Sequence, residues 1–224
     1  MSRAEKPVSN TERAIEELRR LVFSGELPAG SDHLESELAD RLGMSRTPVR
    51  EAARTLESQG LLELRARKGV RILPVSLEDM REIYDVLTEL ESLAAERAAE
   101  RRYSKEELAD LENTITDMNR ALEAADLEAW AEADNRFHAE LVRLGGNSRI
   151  MAITAMMSDQ VRRARAVTLF MRPMPVQSNL DHQGVFEAIQ RGDAEAAHDL
   201  HRAHRQRARD MILSLLERHR LRQL

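Results

Sequence analysis

The chain has 224 residues, with 34 Lys and Arg against 39 Asp and Glu for a formal net charge of −5, a 42% hydrophobic content, and only 9 Gly and 6 Pro. This balance predicts a folded, helix-rich protein of one or two domains and excludes collagen-like or disordered chains. The complete absence of Cys excludes disulfides, thiolate metal ligands and cysteine nucleophiles. The polar start MSRAEKPVSNTERAIEELRR lacks the apolar centre of a secretory leader. No run approaches the roughly 18 apolar residues of a membrane span, so the sequence predicts a cytoplasmic protein.

Ala14, Leu18, Leu21 and Val22 recur at helical spacing within residues 11 to 24, and SGELPAG then breaks the helix with Gly25, Pro28 and Gly30. ESELADRLGM predicts a second, short helix with Leu38, Ala39 and Leu42 inward, stopped at Gly43. Ser45 is placed to cap a third helix of about ten residues, whose first turn tolerates Pro48 because that position has no N–H partner to lose. LLELRARKGVRILPV then reads as two short strands about Arg67, Lys68 and Gly69, with Gly69 permitting a tight turn. Leu38, Leu42, Val49, Ala53, Leu56, Leu61 and Leu62 form the expected core of this module.

Beyond Pro74 the texture changes. Ser76 and Asp79 have the spacing of a capping box, and helices are expected over 77–101, 105–123, 127–144, 148–170, 179–190 and 194–219 with no strand among them. The expected architecture is mostly α: a helix-turn-helix with a β-hairpin wing over residues 8–75, followed by an all-helical bundle of about six helices over 76–224.

Charge is unevenly distributed between these parts. From Met44 to Arg71 there are seven Lys and Arg against three Glu, a local +4 on an acidic chain. The third helix projects Arg46, Thr47 and Arg50 from its opening turns, with Arg54 one turn further and Arg67 and Lys68 on the hairpin. Such a helix start can enter a major groove, where Arg binds guanine bidentately and free backbone amides bind phosphate. A solvated basic face is the alternative on charge alone.

The stretch GELPAGSDHLESELADRLGMSRTPVREAARTLESQGLLELRARKGVRI resembles the winged helix-turn-helix of the GntR family of bacterial transcription regulators. The resemblance rests on Gly25, Leu27 and Gly30, then Leu34, Glu35, Leu38 and Ala39, then Ser45 through Ala52. It implies that Ser45, Arg46, Thr47 and Arg50 meet double-stranded operator DNA and that Arg67, Lys68 and Gly69 form the wing tip. Ser36 stands where many relatives have an Arg that also touches DNA.

Four polar residues fall where a helical core is expected. Asp134 and His138, four residues apart, lie on the apolar stripe of Leu127, Trp130, Ala131, Phe137, Leu141 and Leu144. His182 shares a face with Val185, Phe186 and Ile189, and His204 lies within the stripe of Ala197, Leu200, Ala208, Met211 and Leu215. Buried polar groups require partners. A divalent transition metal, zinc or nickel, bound by three imidazoles and one carboxylate would satisfy all four. His201 is a rival to His204 from the same helix, and His198 is expected at the surface.

Residues 77 to 219 resemble the FCD effector domain of the FadR-type branch of the GntR family, through Asp134-Asn-Arg-Phe-His138, Asp181-His182 and His204 with AIQRGDAEAA between them. The resemblance favours His204 as the last ligand and implies a homodimer that binds a palindromic operator and a small carboxylate effector, with repression relieved by ligand. Leu87 replaces an Arg that helps hold a carboxylate in many relatives; Arg162, Arg163 and Arg165 are the candidate substitutes. A metal-dependent enzyme is the rival reading, yet neither Ser178 nor Glu187 is fixed by the sequence as a nucleophile or base. A third reading is a DNA-binding protein whose metal is purely structural.

Overall fold

A computed structural model describes residues 9–74 and 76–219; the expected domain limits at 8, 75 and 224 lie outside this range. The chain separates into two compact units, the first ending at Pro74. The order is α1 (Asn10–Phe23), β1 (Asp32–His33), α2 (Glu35–Leu42), α3 (Arg46–Ser58), β2 (Leu62–Arg65), β3 (Gly69–Ile72), then α4 (Leu77–Glu100), α5 (Ala109–Glu123), α6 (Leu127–Gly145), α7 (Ser148–Thr168), a 3₁₀ turn at Leu169–Met171, α8 (Val176–Arg191) and α9 (Ala194–Arg218).

In the first unit, α1, α2 and α3 enclose a core of Leu18, Leu21, Leu38, Val49, Ala53 and Leu56, closed by Leu61, Leu62, Val70 and Ile72 from the sheet. The hairpin pairs β2 with β3 in the register Leu62↔Ile72 and Leu64↔Val70. The sequence reading missed β1, which pairs with the other edge of β3 at Asp32↔Arg71 and His33↔Val70 to give the order β1-β3-β2. Two residues are too few to display a period-two pattern, so only pairing reveals this strand.

The second unit contains no strand among its described residues. Its core joins Ala95, Ala98 and Ala99 of α4 to Leu111, Ile115 and Met118 of α5, Trp130, Phe137 and Leu141 of α6, Val185 and Ile189 of α8, and Ala197 of α9. Local chemistry sets several helix ends. Ser76 and Asp79 form the expected reciprocal capping box on α4, and Asp126, Asn147 and Asp193 accept backbone hydrogen bonds at the starts of α6, α7 and α9. Trp130 Nε1 donates to Asn179 at 2.7 Å and Asn179 donates to Asn119 at 2.7 Å, tying α6, α8 and α5 together.

Several expected limits shift. α5 starts at Ala109, four residues later than expected, because Ser104 and Glu107 close a turn of their own through Ser104 N–H to Glu107 and Glu107 N–H to Ser104. α8 starts earlier, at Val176, directly after Pro175, and α7 stops at Thr168 before the 3₁₀ turn. Of the positions expected inside on α9, Leu200 is exposed and Met211 half-buried, whereas Ala197, His204, Ala208 and Leu215 are buried together with His201, Arg205, Ile212 and Leu216.

Close approach of α6 to α4 is made possible by Gly145: a Cβ there would lie 2.8 Å from Cα and Cβ of Ala94. Arg97 and Tyr103 donate to the carbonyls of Gly145 and Leu144 and finish the same helix end. Gly145→Ala should therefore lower unfolding stability by about 1–3 kcal/mol, as overpacking does. Urea denaturation measures this, and an unchanged midpoint would mean that the two helices separate without cost.

Candidate functional site

The first candidate surface lies on α3 and the hairpin. Arg46, Thr47 and Arg50 are exposed, as are Arg67 and Lys68 at the hairpin turn. Ser45 occupies the position before α3, but its side chain makes no capping hydrogen bond, contrary to expectation. Its extended backbone already sets the helix start, and the first amides of α3 are left without a side-chain cap.

A cleft of about 440 Å³ is lined by Arg46, Arg50 and Arg54 of α3, Arg65 and Arg67 of the hairpin, and Glu35 and Ser36 of α2. Arg65 was not singled out from sequence, and Glu35 entered there only through the family resemblance. Glu35 holds Arg50 through Nε at 2.9 Å and Nη2 at 2.6 Å. No local spacing reveals this pair, which is 15 positions apart along the chain. Gly69 has a packing duty beyond its turn: φ is +86° and an added Cβ would fall 2.2 Å from the His33 carbonyl oxygen on β1.

The second candidate is buried in the helical unit. One ligand atom from each of Asp134, His138, His182 and His204 falls within 4.8 Å of the others. The four residues picked from three separate helical stripes thus converge. Asp134 Oδ1 lies 3.8 Å from His138 Nε2 and 3.5 Å from His182 Nε2. None of these three atoms, nor His204 Nε2, has a hydrogen-bond partner among the described residues. Four orphaned donor and acceptor atoms at this spacing fit one ion with ligand bonds of roughly 2.0–2.2 Å. An outer carboxylate orients one imidazole, Asp181 Oδ2 lying 3.2 Å from His204 Nδ1, while Glu91 Oε2 lies 3.0 Å from His138 Nδ1 without the alignment of a hydrogen bond.

His201 is also fully buried but belongs to a different group, with Glu91 and His138; its Nε2 is 3.5 Å from Glu91 Oε2 and its Nδ1 is 3.3 Å from the Ser92 hydroxyl. His198 is partly exposed beside Asp199. Glu91 and Arg205, whose Nε lies 3.5 Å from Glu91 Oε2, complete the buried set and were missed from sequence. Charged residues at helical spacing read as a solvated face, and only the inward rotation of α4 for Glu91 and of α9 for Arg205 distinguishes them.

The electrostatics favour a metal-competent cluster. Burial drives His138, His182 and His201 well below the ordinary imidazole value, keeping them neutral. Burial alone would raise the Asp134 carboxyl, but Arg165 foremost, then His138, hold it below its usual value. Arg165 Nη1 lies 2.5 Å from Asp134 Oδ2, leaving Oδ1 to face the imidazoles. Partial burial similarly opposes ionisation of Asp181, yet hydrogen bonds from His204 and Arg207 pull it down to about 2.

Cavities adjoin the cluster. The larger, about 330 Å³, is lined by His138, Arg165, Arg205 and Glu91 together with Leu87 and Val161. The smaller, about 160 Å³, reaches His204, Arg165 and Asp181 beneath Pro173 to Gln177. Of the three candidate effector arginines, Arg165 touches both cavities and Arg162 lines the larger, whereas Arg163 is buried and lines neither. The reason is rotation along α7, which points position 163 away from the residues two and one positions either side. Ser178 lines the smaller cavity, while Glu187 is exposed and accepts from Gln183 at 2.9 Å, so the two do not form a reactive pair.

Neutral buried imidazoles make folding pH-dependent. The unfolded chain protonates each near 6.5 whereas the folded, metal-free chain does not. Stability is therefore complete above that value and lost as pH falls below it toward the depressed folded values. Thermal unfolding of chelator-treated protein across that window measures it; a flat profile would show that the imidazoles protonate within the fold. Gly69→Ala should cost the first unit more than about 1 kcal/mol, since both its φ and the His33 carbonyl oppose a side chain; an unaltered unfolding midpoint would contradict that.

Comparison with known proteins places these features in a family. Residues 10–72 match the model described as bacterial regulatory proteins, gntR family, and residues 82–207 match the FCD domain. The chain is 30% identical to the "Probable D-xylose utilization operon transcriptional repressor" of Paenarthrobacter nicotinovorans, over 79% of this chain and 76% of the relative. It is 40% identical over 131 residues, 58% of this chain and 77% of the relative, to an HTH-type transcriptional regulator from the TAR-I ttuE-ttuC' intergenic region of Agrobacterium vitis. The solved structure of E. coli McbR/YncC shares the fold, with a TM-score of 0.79 over 93% of this chain and 99% of that one at 20% identity. No described helix is long and apolar enough to cross a membrane. The family and the two sequence relatives are transcriptional regulators and not enzymes, and the two matches together make this protein a member of the GntR family with a C-terminal FCD domain.

Proposed function

We propose that the chain is a homodimeric, metabolite-responsive transcriptional repressor of metabolic genes. Residues 8–75 bind palindromic operator DNA, and residues 76–224 dimerise and bind a small carboxylate beside a divalent transition metal, zinc or nickel. The observation that carries this reading is the convergence of Asp134, His138, His182 and His204, each buried, with ligand atoms mutually within 4.8 Å. A divalent ion there supplies a Lewis-acidic centre with positions left for a ligand oxygen. Arg165 and Arg205 balance Asp134 and Glu91 in charge, so a bound dication leaves two positive charges uncompensated and draws in an anion.

On the DNA side, Arg46 and Thr47 serve base edges or phosphate from the start of α3. Arg50 does so from a guanidinium that Glu35 pre-orients, and Ser45, Arg67, Lys68 and Gly69 frame the contact. Effector binding shifts operator affinity by as much as the effector distinguishes the DNA-binding arrangement of the dimer from the alternative one.

Elemental analysis of protein purified without chelator should find about one divalent ion per chain, lost in His138→Ala and His204→Ala; undiminished metal in both variants refutes the site. Arg46→Ala should relax operator discrimination by about 1–3 kcal/mol, read as the ratio of specific to random-DNA affinity at fixed salt. Retained discrimination would remove Arg46 from base readout.

A further inference from the structure

The smaller cavity, about 160 Å³, is lined by a cation that no acid answers. Arg172 is half-buried there, and its guanidinium bonds only to neutral acceptors. Nε and Nη2 donate to Thr168 Oγ1 at 3.1 and 2.6 Å, and Nη2 donates also to the Arg165 carbonyl at 2.7 Å. Arg172 has no ion-pair partner among the described residues, and its Nη1 makes no hydrogen bond while keeping accessible surface.

The other charges lining this cavity are matched. Arg165 pairs with Asp134 at 2.5 Å, and Arg207 pairs with Asp181 at 2.8 Å. Arg172 is the charge left over, and burial foremost, then the neighbouring Arg165, pulls it down to about 10. A charge taken out of water without a counter-ion is costly, and an anion removes that cost. The start of α8 adds to the field. It has no side-chain cap, and the amides of Gln177 and Ser178, both lining residues, donate to nothing among the described residues.

Much of the remaining lining is apolar: Trp130, Pro173, Met174, Pro175 and Met211. Trp130 Nε1 is committed to Asn179 at 2.7 Å, so the indole offers its ring rather than a donor. A cavity on the order of 150 Å³ takes one benzene ring, and indole and thioether surfaces favour an aromatic occupant over an aliphatic one. We propose that this cavity binds a one-ring aromatic acid, its carboxylate held by Arg172 at the uncapped start of α8 and its ring against Trp130, Met211 and the prolines. The site takes no coordination position on a metal, so it goes beyond the effector reading above and does not depend on it.

Trp130 is the only tryptophan of the chain, so intrinsic fluorescence reports on this cavity. Benzoate, benzamide, cyclohexanecarboxylate and acetate are titrated into the full chain, as purified and after chelator treatment. Benzoate should shift the emission and bind about tenfold or more tighter than benzamide, which lacks the charge, and than acetate, which lacks the ring. It should exceed cyclohexanecarboxylate by about threefold. Arg172→Gln, which keeps an amide donor, should abolish the preference for benzoate over benzamide, and chelation should leave benzoate affinity unchanged.

Equal binding of benzoate and benzamide, an equal or stronger response to acetate or cyclohexanecarboxylate, or no response to any of the four overturns this inference, as does an undiminished preference in Arg172→Gln. If that variant fails to fold, the four ligands on the unaltered chain decide alone. Benzoate binding that disappears on chelation also overturns it and leaves the metal-bound carboxylate standing. Benzoate binding to protein purified without any metal instead overturns the metal reading and leaves this one standing.

Discussion

The helical unit is organised around the burial of one carboxylate. Asp134 is 1% exposed, and an ionised carboxylate so far from water is tolerated only with compensating charge and hydrogen bonds. Arg165 engages one of its oxygens, and the other faces His138 and His182. Meeting that demand requires α6, α7, α8 and α9 to hold a common register, so the helices that build the core also assemble the cluster. His204 joins from α9 with its outer nitrogen against Asp181, and Glu91 reaches in from α4 behind His138.

The two parts of the chain use charge in opposite ways. In the helical unit Arg165, Arg205, Asp134 and Glu91 are buried, so each charge is strongly felt. On the winged unit the ion pairs are exposed: Arg50 with Glu35, Arg54 with Glu51 and Arg71 with Asp32. Exposed pairs contribute little to stability and are screened by salt. Little would therefore be lost if a guanidinium exchanged a carboxylate for a phosphate or a guanine edge, as the proposed DNA contact requires.

The same contrast explains which residues could be read in advance. Asp134, His138, His182 and His204 stood out because each interrupted an apolar stripe, and a polar residue on a buried face carries information that a polar residue on a solvated face does not. Arg205 and Glu91 gave no such sign. Neither interrupted an apolar stripe, and the expected inward face of α9 included Leu200, which is exposed, and left out Arg205. A rotation of less than half a turn moves Arg205 inside and Leu200 out, and packing against α4 sets that rotation.

The amino-acid sequence by itself determined the helices, the capping box at the start of α4, the hairpin, the position near Pro74 where the first unit ends, the family, and the four residues that meet in the bundle. These follow from local periodicity, from capping and turn chemistry, and from motifs confined to short stretches. Only the tertiary structure decided that Glu35 holds Arg50, that β1 joins the sheet, that Arg165 faces the cluster while Arg163 does not, and that Arg205 is buried between Glu91 and Tyr84. Each depends on the rotation of a helix or the pairing of segments distant along the chain. Such contacts are selected by the packing of the whole core and leave no periodic trace in the sequence.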